Sequence, residues 1–171
     1  MAEFSVLWVC HANICRSPLA QALFMHRAAE RGAAGRVESD SAGTWGMDGH
    51  KPFHLSVDVA TRNGIDLAPF NRVARGLVPN DLERFDHIVV MDRRNLADMQ
   101  RLLRISAFGT VEQKQARIRL LKHLTAPGSK DAASDVADPV QGGPRDFDRA
   151  FAEIDAGCCA LLDELLGPAV T

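Results

Sequence analysis

The stretch Phe4-Ser-Val-Leu-Trp-Val-Cys-His-Ala-Asn-Ile-Cys-Arg-Ser-Pro18 decides the fold of this 171-residue chain. Its first part, Phe4 to Val9, is short, apolar and rich in β-formers, which predicts a buried strand. At the other end, Ser17-Pro18 predicts a helix start, with Ser as N-cap and Pro at the first helical position. The loop from Cys10 to Arg16 therefore sits at the carboxyl end of a strand, where open α/β sheets bind ligands.

Outward from this unit, strands and helices alternate. The helix opened at Ser17 passes Leu19 and Leu23 and should end before Gly32 or Gly35. Val37 to Ser41 predicts a second strand, and Gly-rich Ala42 to Phe53 a loop holding Trp45 and Met47. A helix is expected over Leu55 to Asn63 with Gly64 as its stop. Pro79-Asn80 opens a short helix to Arg84, His87 to Met91 reads as a buried strand, and Arg93 to Leu103 as a helix. Ala116 to Leu121 is a candidate fourth strand, and polar Ala126 to Gly143 an irregular loop. Phe147, Phe151, Ile154, Cys158, Leu161, Leu162 and Leu165 recur at helical spacing before Gly167-Pro168. Such alternation implies a parallel sheet covered on both faces, in a single three-layer α/β domain over residues 1–171.

The bulk composition narrows the function. With 46% hydrophobic residues the chain can bury one sizeable core. The net charge of -2, with acids and bases mixed, offers no basic block for nucleic acid. The first apolar stretch is far too short to span a bilayer, and Glu3 stands where a signal peptide would want a base. A cytoplasmic location is expected. The four cysteines, Cys10, Cys15, Cys158 and Cys159, fit no zinc spacing. Cys158 and Cys159 fall in the helical apolar pattern and read as small buried or half-buried side chains.

The chemistry lies in the first loop. Cys-x5-Arg alone is a weak motif; its position between strand and helix gives it meaning. Amide N–H groups of a tight loop entering a helix make a ready anion site. The same field favours a thiolate at Cys10. One helix dipole supplies at most about 2 kcal/mol, so several amides, the Ser17 hydroxyl and Arg16 must share that task. Arg16 has the planar fork that binds phosphoryl oxygens in pairs. Asn13 tolerates the left-handed backbone such a loop needs. A thiolate attacking phosphorus needs a proton donor for the leaving oxygen. Asp138-Pro139, the only Asp-Pro pair, stands in the long polar loop and is the candidate acid.

The segment Cys10 to Pro18 resembles the signature loop of the low-molecular-weight protein tyrosine phosphatase family. Ser41-Ala42-Gly43-Thr44, Gly64-Ile65-Asp66, Val90-Met91-Asp92 with Asn95-Leu96, and Ala137-Asp138-Pro139 resemble further segments of that family in the expected order. The resemblance implies a four-stranded parallel sheet flanked by helices, a cysteinyl-phosphate intermediate, and no metal or other cofactor. It implies Cys10 as nucleophile, Arg16 as phosphate ligand, Ser17 as stabiliser of the thiolate, and Asp138 as acid and then base. His11, Ala12, Asn13, Ile14 and Cys15 complete the phosphate-binding loop. Cys15 resembles a second loop cysteine that forms a reversible disulfide with the nucleophile. Asp92 and Asn95 are expected to support the site, and a phosphorylated protein to be the partner.

The sequence departs from the family where an aromatic residue, often Tyr, follows Asp-Pro. Here Val140-Gln141 follow, and the chain has no Tyr. Val140, Trp45 and Met47 are the candidate walls for a substrate ring. Asn71-Arg72-Val73 stand where the family has a His-containing stretch, so the brace on Asn13 is expected to differ, and the loop after Thr44 reads as shorter. Two other enzymes share the resemblance. A phosphoarginine phosphatase would be expected to carry Thr in place of Ile14. An arsenate reductase needs further cysteines, and none lies between Cys15 and Cys158. A module that binds phosphorylated partners without turnover is the alternative outside enzymes.

Overall fold

A computed structural model describes residues 2–70, 73–105, 117–128 and 134–169. β1 (Phe4–Cys10) lies inside a sheet ordered β2-β1-β3-β4, with β2 at Val37–Gly43, β3 at His87–Val90 and β4 at Ile118–Leu120. All three pairings are parallel. Both faces of β1 are covered, which is why its sequence shows a continuous apolar run. Val6, Trp8 and Cys10 face one core, and Leu7 and Val9 the other.

The first core is closed by α1 (Arg16–Glu30), α2 (His54–Arg62) and the last helix, α6 (Pro144–Leu166). On the opposite face lie α3 (Asp81–Arg84) and α4 (Arg93–Ile105), which bring Leu82, Met99 and Leu103 to the second core. A short helix, α5 (Leu121–Thr125), follows β4 directly. It packs on α6 at Gly157, where an added Cβ would come within 2.6 Å of Leu121. Glycine in mid-helix costs about 1 kcal/mol against alanine, and this close approach is its return.

The expected four-stranded, three-layer α/β arrangement is present. The differences are local. α1 starts at Arg16, and Ser17 is not its N-cap: Cys15 holds that position without a side-chain capping bond. The Ser17 hydroxyl is used in the loop instead. β2 runs two residues past Ser41, because Gly43 pairs with Cys10 and bridges Gly76. The candidate fourth strand is shorter, since Leu121 begins α5; its first residue, Ala116, lies outside the described residues, as do Asn71 and Arg72. Cys158 is buried and Cys159 half-buried, as their helical pattern predicts.

Candidate active site

β1 and β3 end side by side, with Val9 opposite Val90, and the loop after β1 is shaped by its carbonyls. Those of Cys10, His11, Ala12 and Ile14 accept from the amides of Thr44, Trp45, Met47 and Phe53 at 2.8 to 3.1 Å. C=O and N–H point in opposite directions across a trans peptide. Turning these oxygens outward therefore turns the following amides toward the loop centre. Gly43 is required beneath: an added Cβ would lie 2.6 Å from the His11 carbonyl oxygen. α1 enters this ring with no side-chain cap, so its first amides also remain available to an anion.

Asn13 holds the loop shape. It has φ +59°, the left-handed region that asparagine enters more readily than most residues. Its Oδ1 accepts from the Arg75 amide at 2.9 Å, and its Nδ2 donates to Ser17 Oγ (2.8 Å) and Ser41 Oγ (3.0 Å). The brace on Asn13 is thus a backbone amide. Ser41 in turn donates to Gln21 Oε1 at 2.8 Å. Because Ser17 Oγ accepts from Asn13, its own proton is free to point at Cys10 Sγ, 3.0 Å away. The alternative acceptor, the Ala42 carbonyl, is farther, at 3.4 Å.

Replacing Asn13 with Ala strains the left-handed position by about 1–2 kcal/mol and orphans its buried partners at about 1 kcal/mol or more each. The expected loss of stability is about 2–4 kcal/mol. A denaturant midpoint series reads it, and an unchanged midpoint would show that Asn13 does not brace the loop.

Arg16 is 1% exposed and reaches across the sheet edge. Its Nη1 donates to Asp92 Oδ2 (2.6 Å) and the Val136 carbonyl (2.8 Å), and its Nη2 to Asp138 Oδ2 (2.8 Å). Its Nε is buried without a partner among the described residues. Burial works against its charge, but Cys10, Asp138 and Asp92 outweigh it and hold the guanidinium pKa above its ordinary value. Asp92 is itself fixed, its Oδ1 accepting from the Asn95 amide at 2.7 Å.

The segment carrying Asp138 is pinned to the turn that joins β3 to α4. The Val136 amide donates to the Met91 carbonyl (2.8 Å), and Arg93 pairs with Asp135 (2.9 Å). Asp138 Oδ1 also accepts from the Val140 amide at 3.2 Å, capping the 3₁₀ turn Pro139–Gln141. Cys15 and Cys10 are both free thiols. Burial, with Cys10 and Asp138 nearby, pushes the Cys15 thiol up to about 12, so it keeps its proton at neutral pH.

These groups surround a cleft of about 170 Å³ lined by Cys10, His11, Ala12, Ile14, Cys15, Arg16, Trp45, Met47, Asp138 and Val140. The expected catalytic, loop and wall residues line it except Asn13 and Ser17, which stand behind the loop as its supports; Asp92 and Asn95, expected as supports, also lie outside the lining. Trp45, Met47 and Val140 all contribute to the wall. Gln21, Arg75 and Val136 were not foreseen. Ser41-Ala42-Gly43-Thr44 was the available signal for Gln21 and Arg75, which bond Ser41 and Gly43; Val136 had none. Among the described residues no group of three or more His, Cys, Asp or Glu side chains is gathered as a metal would require.

Fold and site together define a class: parallel α/β domains with a cysteine set in an amide-lined loop at the carboxyl edge of an inner strand. The family model for low molecular weight phosphotyrosine protein phosphatase matches residues 5–168, and the chain belongs to that family. It is 34% identical to the low molecular weight protein-tyrosine-phosphatase YfkJ of Bacillus subtilis, over 92% of this chain and 93% of that protein. The crystal structure of YfkJ superposes with a TM-score of 0.80 at 32% identity, covering 96% of each chain. The human low molecular weight phosphotyrosine protein phosphatase is 33% identical, over 95% of this chain and 96% of that protein. A Drosophila arginine phosphatase structure also superposes, with a TM-score of 0.80 at 25% identity, covering 94% and 97%.

Proposed function

We propose that the chain hydrolyses phosphotyrosine in proteins through a phosphocysteine intermediate. The observation that supports this most is the meeting of Cys10, Arg16 and Asp138 around one cleft with an apolar wall. The amides at its base and the unpartnered Nε of Arg16 suit the equatorial oxygens of a phosphate dianion. Arg16 keeps Nη1 on Asp92 and Val136 while Nε and Nη2 turn to the substrate. The dianion then takes the place of Asp138 on Nη2 and frees that carboxyl for proton transfer.

In the first step the Cys10 thiolate attacks phosphorus. The S–P bond forms, the P–O bond to the aryl group breaks, and Asp138 gives its proton to the departing phenolate oxygen. The Ser17 hydroxyl, with its proton aimed at Sγ, steadies the sulfur before attack and as it leaves. In the second step Asp138 takes a proton from water, water oxygen bonds to phosphorus, the S–P bond breaks, and inorganic phosphate departs.

An aryl substrate fits the walls. Ile14, Met47, Val140 and the Trp45 ring present apolar surface, and Trp45 supplies an aromatic face where the segment after Asp138 has none. Ile14 also argues against phosphoarginine, whose cationic guanidino group would lie against it. Comparing phosphotyrosine and phosphoarginine peptides decides between the two. A cytoplasmic location and a phosphorylated protein partner go with this reading.

The test of the acid is a leaving-group series on Asp138→Asn. General acid catalysis contributes about 10²–10⁴-fold. Hydrolysis of phosphotyrosine should fall by about 10²–10³-fold, and that of an aryl ester with a strongly acidic phenol by less than about tenfold. An equal loss on both substrates would remove Asp138 from this role.

A further inference from the structure

A second, larger groove lies beside the same cleft. It measures about 820 Å³ and shares His11 and Trp45 with the catalytic pocket, so the two adjoin. From that shared corner it runs along α4. Arg94, Ala97, Asp98, Arg101 and Leu102 line it at spacings of i, i+3, i+4, i+7 and i+8, which is one face of a helix. Leu77 and Leu102, both half-buried, give it an apolar base.

Its charge is positive. Arg94 is exposed and makes no ion pair among the described residues. Arg101, with its side chain 81% exposed, meets Asp98 only at 3.4 Å, a contact too long and too wet to hold it. Among the described residues lining it, two guanidinium groups thus face one carboxylate. At the junction, His11 Nδ1 and Thr44 Oγ1 are buried with no hydrogen-bond partner among the described residues, leaving hydrogen-bond capacity that these residues do not use. Trp45, 72% exposed and stacked on His11 at 5.7 Å, stands between cleft and groove.

We propose that this groove holds the substrate polypeptide beside the phosphotyrosine and selects acidic side chains there through Arg94 and Arg101. This rests on the phosphatase reading of the cleft. Arg94 and Arg101 are two helical turns apart, about 10 Å. An extended peptide covers that distance in about three residues. Two acidic side chains about three residues apart on a bound segment therefore match the spacing of the two cations, while the peptide's apolar atoms rest on Leu77 and Leu102. The substrate class is a phosphotyrosine in an acidic segment, and the selection weakens with salt, as expected for exposed charges.

The experiment compares wild type with R94E/R101E on three substrates: a phosphotyrosine peptide with flanking Glu, the same peptide with flanking Ala, and a small aryl phosphate. Wild type should prefer the acidic peptide by about five- to tenfold in kcat/KM, mainly through KM, and the preference should shrink at 0.5 M salt. R94E/R101E should remove or invert it while changing kcat/KM on the aryl phosphate by less than about twofold. R94K/R101K should retain most of the preference, because point charges suffice at exposed sites. Equal kcat/KM on both peptides in wild type, or an equal loss on all three substrates in the reversal variant, would overturn the proposal. Titrating Cys10→Ser with the two peptides reads the same contacts as Kd without turnover. Selective binding there supports the groove even if the reading of the chemistry fails, and equal Kd values refute it.

Discussion

Replacing Cys10 with Ser is expected to give a folded protein that binds vanadate or phosphate and turns over aryl phosphates at least about 10⁵-fold more slowly. The fold should tolerate the change. Cys10 is 2% exposed at the end of β1, and its side chain meets the Ser17 hydroxyl at 3.0 Å, a partner that serves an oxygen as well as a sulfur. The amide ring does not depend on the side chain, because its carbonyls are held by the segment from Thr44 to Phe53. Anion binding therefore survives. At a ligand concentration of 100 times Kd it should raise stability by about 2.7 kcal/mol, which a thermal melt with and without vanadate reads directly. Turnover does not survive, because a serine hydroxyl is a weak nucleophile until a base takes its proton. Ser17, the neighbour of Sγ, is placed to donate to that atom and is no base. Rapid quenching of wild type with an activated aryl ester should trap phosphate on Cys10, and the variant should trap none. Retained turnover would mean that another group makes the bond to phosphorus.

What the sequence disclosed, and what it did not, follows from how far apart the interacting residues lie. β1 was legible because a strand covered on both faces must be apolar at successive positions, as Val6, Leu7, Trp8 and Val9 are. α6 was legible because Phe147, Phe151, Ile154 and Cys158 repeat with the helical turn and are all buried. The loop was legible because Cys10, Arg16 and Ser17 are close in sequence. The function of Ser17 was half legible: Ser before Pro reads as a cap, yet its hydroxyl serves Cys10 and Asn13, and the helix begins two residues earlier than that cap would place it. Leu120-Leu121 reads as one apolar strand end, but the chain turns into α5 between them, where a buried Leu is equally suited to either element. The threefold anchorage of Arg16 is written nowhere in its neighbourhood, since Asp92, Val136 and Asp138 lie 76, 120 and 122 residues away. The groove beside α4 joins residues from four separate segments, and no local pattern marks it.

Arg16→Lys is the second large effect, and it separates holding a phosphate from merely balancing charge. Arg16 spends Nη1 on Asp92 and the Val136 carbonyl and Nη2 on Asp138, with Nε unpartnered. A planar fork can stay anchored at one end while the other turns to substrate. A lysine ammonium is a single point on a shorter reach, so it cannot bond Asp92, Val136 and two phosphoryl oxygens together. Loss of one transition-state donor costs about 10²–10³-fold. Loss of a paired donor with its positioning should lower kcat/KM by about 10³-fold or more, through both kcat and KM, with phosphate inhibition weakened at least tenfold. Stability should fall by about 2–4 kcal/mol, because Asp92 loses its guanidinium partner and keeps, among the described residues, only the Asn95 amide. The double variant Arg16→Lys/Asp92→Asn then divides the two effects. Neutralising the orphaned carboxylate should restore much of the stability, and it adds no fork, so the rate should stay down. If rate returned together with stability, the guanidinium would be a structural clamp alone, and the phosphate would have to be held by the amides without it.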